Sequence, residues 1–111
     1  MAVLDAPIRN KALLAASVLA RVGLVRAAYV FGSYADGHAD EWSDIDLAVF
    51  VEGVESWDME KRAKVMALVM LEAGADVETH LFPVSRLATP EPGGFAEYVI
   101  QHGICIQGAT A

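Results

Sequence analysis

The chain has 111 residues, of which 55% are hydrophobic, enough for one modest core and too few for a second domain, so a single domain over residues 1–111 is expected. Eight Lys and Arg stand against 15 Asp and Glu, a formal net charge of −7 that repels a phosphate backbone and disfavours work on duplex nucleic acid. The single cysteine, Cys105, excludes an internal disulfide; its setting GICIQ reads as a small buried strand residue in a reduced, cytoplasmic protein.

The first predicted element is a helix. Asp5 is placed to cap it, Pro7 suits its first turn and Gly23 stops it. Its core ALLAASVLA, Ala12 to Ala20, is too short to cross a bilayer, which takes ~20 residues, and Asp5 and Pro7 do not suit a signal peptide. Neither a membrane nor an export signal is therefore expected. RAAYVF, Arg26 to Phe31, reads as a first strand running into Gly32-Ser33. DIDLAVFV, Asp44 to Val51, alternates Ile45, Leu47, Val49 and Val51 with Asp44, Asp46, Ala48 and Phe50, a second strand with two unlike faces.

A long helix is predicted over Trp57 to Gly74, with Asp58 and Glu60 near its start. Its VMALVML run is apolar nearly all round, which implies burial on two sides or a partner surface. DVETHLF, Asp76 to Phe82, is a third strand with Val77, Thr79 and Leu81 on one face and Glu78, His80 and Phe82 on the other. A loop over residues 89–94, a helix over residues 95–103, a last strand over residues 104–107 and a frayed tail over residues 108–111 complete the chain. The fold class is α/β (α+β), a small mixed sheet with helices mainly on one face.

The chemistry concentrates in FGSYADGHADEWSDIDLAVF, Phe31 to Phe50. On a strand, Asp44 and Asp46 project to one side, roughly 6–7 Å apart along the chain. Glu78 joins them if the second and third strands are neighbours. Such a group repels itself: two unit charges 4 Å apart cost on the order of 4 kcal/mol at an effective dielectric of 20. It therefore calls for a cation, and carboxylate oxygens suit Mg²⁺ or Mn²⁺. Taken alone, Asp-x-Asp at a strand start more often marks a solvated end. The Gly32-Ser33 turn shifts that balance, because its backbone N–H groups and hydroxyl suit an anion. A phosphate cradle and a carboxylate pair on successive strands are two halves of a site for a metal-bound nucleoside triphosphate.

The combined pattern, Gly32-Ser33, Gly37 and Ser-Asp-Ile-Asp-Leu, with ten residues (34–43) between Ser33 and Asp44, resembles the signature of the DNA polymerase beta-like nucleotidyltransferases. The chain is most similar to the minimal nucleotidyltransferases, which include antitoxin partners of HEPN-domain toxins. The resemblance implies that Gly32 and Ser33 bind the phosphates, that Asp44, Asp46 and Glu78 are catalytic and hold Mg²⁺ or Mn²⁺, and that ATP is the co-substrate. It also implies transfer of a nucleoside monophosphate to a hydroxyl on a protein partner such as a HEPN toxin. Three positions depart from the pattern: Glu78 where Asp is commoner, and Tyr34 and Asp36 where many relatives place basic residues.

A non-catalytic module that neutralises its partner by contact is the alternative. Transfer to a small molecule such as an aminoglycoside would require an acceptor pocket, which a chain of this length builds only as a homo-oligomer. His80 is read as a strand histidine satisfied by a neighbour, outside the site. His38 belongs to an acidic solvated loop with Asp36, Asp40 and Glu41, and His102 suits a helix C-terminus. Trp42 is expected to pack its loop down, and Trp57 to anchor the long helix to the sheet.

Overall fold

A computed structural model of the chain describes residues 4–108. Its elements are α1 (Ala6–Ala20), β1 (Val25–Phe31), the single turn α2 (Ser33–Asp36), β2 (Ile45–Val51), a 3-10 turn at Val54–Ser56, α3 (Met59–Ala73), β3 (Val77–Pro83), α4 (Ser85–Ala88), α5 (Phe95–His102) and β4 (Ile104–Gln107). The strands form one sheet in the order β3-β2-β1-β4. β1 runs antiparallel to β2 and β4, whereas β2 and β3 run parallel. The parallel pair requires a crossover, which α3 supplies.

The alternation read in β2 becomes the division of the molecule. Ile45, Leu47, Val49 and Val51 lie in one apolar cluster with residues of α1 and α3, and all four are fully buried. Ala12, Ala15 and Ala16 bring α1 close to the sheet. Val65, Val69 and Ala73 are the buried stripe of α3. Asp58 caps α3 by accepting a hydrogen bond from the Lys61 N–H at 2.8 Å. Asp5 occupies the N-cap position of α1 without a side-chain bond, and Pro lies in the first turn. Lys11 on α1 forms an ion pair with Asp76, just before β3, at 2.8 Å. Arg21 pairs with Glu72.

The opposite sheet face is aromatic and carries the short α5. Phe50 stacks on Phe82 with centroids 5.2 Å apart, and Ala96 and Val99 pack into the same layer. Thus the two long helices share one face, and one short helix covers part of the other.

Four readings need correction. Cys105 is exposed, not buried, because β4 is an edge strand on which Ile106 points inward and Cys105 away. Trp42 is 85% exposed and does not pack its loop down. The loop is closed instead by Asp40, whose side chain accepts from the Trp42 N–H at 2.9 Å. Of the two readings of VMALVML, burial on two sides does not hold, since only one stripe of α3 is covered and Met70 and Leu71 lie in solvent. A turn of helix, α4, also forms after β3, where none was expected. Trp57 does pack against the core, over Gly23 and Val51. Of the tail expected to fray, residues 109–111 lie outside the described residues.

Candidate functional site

The site grows out of the β2–β3 ladder. In that register Asp46 stands beside Glu78, and Ala48 beside His80. Side chains two residues apart on a strand share a face, so Asp46, Glu78 and His80 emerge together on the aromatic side of the sheet. One ligand atom from each lies within 4.8 Å of the others. The apolar residues that alternate with them fix this outcome, since a one-residue slip would turn Ile45 and Leu47 out of the core.

β1 and the turn after it complete the surroundings. Phe31 pairs with Asp46 across the antiparallel ladder, which places the following Gly32 against the Asp46 carboxylate. Gly32 has φ of 74°, and a Cβ there would collide with Asp46 Oδ2. Glycine is thus required twice at this position, for the left-handed backbone and for the approach of the carboxylate. Ser33 opens α2, which closes through Asp36 N–H to Gly32 O and His38 N–H to Ser33 O, both 2.9 Å. Tyr34 packs against the main core cluster, whereas Asp36 is exposed.

Asp44 stands apart from the three. It precedes β2, is exposed, and lines a crevice of about 320 Å3 with Glu78, Thr79, Met66, Val69 and Met70. The structure therefore brings Asp46 and Glu78 together beside Gly32 and Ser33, and sets Asp44 at the rim.

The electrostatics follow from this crowding. Burial pushes the Asp46 carboxyl above its ordinary value, and the Glu78 carboxylate pushes it further; His80 acts in the opposite direction, and Asp44 adds the smallest upward push. His80 Nε2 faces Asp46 Oδ1 at 3.9 Å and Glu78 Oε1 at 3.7 Å, too far for hydrogen bonds. That nitrogen is buried without a hydrogen-bond partner. Its ring is held edge-on by Phe31 and Phe95, with centroids 5.2 and 5.6 Å away. Two carboxylates and an orphaned imidazole nitrogen facing one another are a donor set that fits a divalent cation.

His80 is the residue that sequence reasoning set aside. Its position two residues after Glu78 was the available signal, and only the strand order shows that no neighbour satisfies it.

The family described as "Polymerase beta, Nucleotidyltransferase" matches residues 15–109. No curated protein matches the chain significantly. Among solved structures, the chain is similar to one titled "Crystal structure of the toxin-antitoxin with AMP-PNP", with a TM-score of 0.59 and 23% identity over 92% of this chain and 74% of that one. At that identity the likeness is one of fold. Four strands, the Gly32-Ser33 turn and paired carboxylates on adjacent strands agree with the family match, and the chain belongs to the polymerase beta nucleotidyltransferase family.

Proposed function

We propose that the protein transfers AMP from ATP to a hydroxyl on a partner protein, in the manner of an antitoxin that silences a HEPN-type toxin. The observation that carries this reading is the pairing of Asp46 with Glu78 across the parallel ladder, directly against the Gly32 turn. Family membership and the fold it shares with a toxin–antitoxin structure containing AMP-PNP support it.

In this reading the N–H groups at Gly32 and Ser33 and the Ser33 hydroxyl bind the outer phosphates. Asp44, Asp46 and Glu78 would hold Mg²⁺ or Mn²⁺, which supplies charge neutralisation at the phosphates and the leaving pyrophosphate. Glu78 is the exposed member of the pair and accepts the proton of the acceptor hydroxyl. The hydroxyl oxygen bonds to the α-phosphorus as the bond to pyrophosphate breaks. The mostly apolar crevice beside Asp44 and Glu78, lined in part by the exposed Met70 of α3, gives a partner an approach. We place this activity in the cytoplasm; among the described residues no helix is long and apolar enough to cross a membrane.

One observation favours a second reading, a module that acts by contact alone. Tyr34 is turned into the core and Asp36 is exposed, so the turn offers no cation to a triphosphate. ATP labelled at the α- or γ-phosphate separates the two readings when each form is incubated with the protein, Mg²⁺ and extract of its native cells. Transfer from the α position alone, absent in Asp46→Asn, is the expected result. No transfer from either position, with the partner still co-purifying, would favour the contact module.

A further inference from the structure

We infer that His80 is a ligand of the ion bound by Asp46 and Glu78, and that the three select a later first-row transition ion of the Co²⁺ or Ni²⁺ class over Mg²⁺ and Mn²⁺. The inference rests on the proposed function and names the ion which that site would take.

A buried imidazole nitrogen without a partner costs free energy unless something accepts its lone pair or its proton. Nε2 has no hydrogen-bond partner, and the nearest charged atoms are the oxygens of Asp46 and Glu78 at 3.9 and 3.7 Å. Two ligands of a tetrahedral ion with bonds of about 2.0–2.1 Å lie roughly 3.3–3.4 Å apart. The gap to that spacing is a few tenths of an ångström, within reach of small side-chain rotations. The ring is edge-on to Phe31 and Phe95, which hold it on the same side of the sheet as the two carboxylates.

All three ligands come from the β2–β3 ladder, a rigid element, whereas Asp44 lies before β2 begins. The donor set at the centre is therefore two oxygens and one nitrogen. Mg²⁺ and Mn²⁺ are suited by oxygen ligands, and Mg²⁺ keeps its waters, whereas imidazole suits the later first-row ions, with affinity rising past Mn²⁺ to Co²⁺ and Ni²⁺. The nitrogen is what makes the site discriminate.

The competing account is a protonated His80 that only balances the two carboxylates. Calorimetric titration of the whole chain, without nucleotide, with MgCl2, MnCl2 and CoCl2 decides between them. In the wild type, affinity should rise from Mg²⁺ to Mn²⁺ to Co²⁺, with Co²⁺ bound at least ~10-fold more tightly than Mg²⁺. His80→Phe, which suits the aromatic surroundings, should weaken Co²⁺ by ~10-fold or more and leave Mg²⁺ and Mn²⁺ within about twofold. His80→Asn provides a second variant should His80→Phe fold poorly, and the visible absorption of bound Co²⁺ should change in either. Retention of the wild-type Co²⁺ preference by both variants, or equal wild-type affinity for Mg²⁺ and Co²⁺, overturns the inference. Mg²⁺ binding abolished by Asp46→Asn would leave the proposed function standing in that event. The absence of any Asp46-dependent binding would overturn both.

Discussion

The two faces of β2 solve opposite problems with alternating residues of one strand. Towards α1 and α3, Ile45, Leu47, Val49 and Val51 are sealed from water in an apolar cluster. Towards α5, Asp46 shares its face with Glu78 and His80, and an imidazole nitrogen is left without a partner. The contrast separates stability from chemistry at the level of single neighbouring residues: the sealed face supplies the burial that lets the other tolerate two crowded carboxylates.

Substitutions on adjacent residues sharpen that separation most. Leu47→Ala, on the fully buried side, should cost about 2–5 kcal/mol in denaturant unfolding. Asp46→Asn, one residue earlier, should lower nucleotidyl transfer by on the order of 100-fold while leaving the melting temperature unchanged or raised, since it removes a repelling charge. A large fall in melting temperature for Asp46→Asn would break the division between the faces.

Gly32→Ala tests the junction between the two. It forces a Cβ into a left-handed backbone and into the Asp46 carboxylate, so a loss of about 1–2 kcal/mol should accompany loss of nucleotide binding. Lys11→Ala, which removes an ion pair behind the sealed face, should cost ~1 kcal/mol or less and leave activity intact.

The smallest expected effect is on pH dependence in the metal-free chain. Because the folded Asp46 carboxyl lies above its ordinary value, the folded state holds the extra proton between the two values. Stability should therefore fall as pH rises from the ordinary carboxylate range through the raised value, and Asp46→Asn should flatten that fall. Melting curves across the acidic range check the sign.

Much of this division was legible in the order of residues. The alternation in DIDLAVFV identifies both faces of β2, and Glu78 sits on the polar face of the next strand. Their meeting required only that the strands be neighbours, which the ladder shows. His80 was not legible in the same way, since a strand histidine finds a hydrogen-bond partner in most strand orders, and here it finds none. Cys105 misled because an apolar setting does not distinguish an edge strand from a central one. The VMALVML run left two readings open because apolar residues all round a helix do not say which stripe the sheet will cover. Trp42 shows the same limit in a loop, which closes through Asp40 and leaves the indole outside.

Everything proposed for the polar face depends on its binding a metal nucleotide through Asp46. Thermal melting with Mg²⁺ and a non-hydrolysable ATP analogue tests it most directly, in the wild type and in Asp46→Asn. The melting temperature of the wild type should rise with ligand concentration, and that of the variant should not. No rise in the wild type at millimolar ligand, or an equal rise in both, would contradict it.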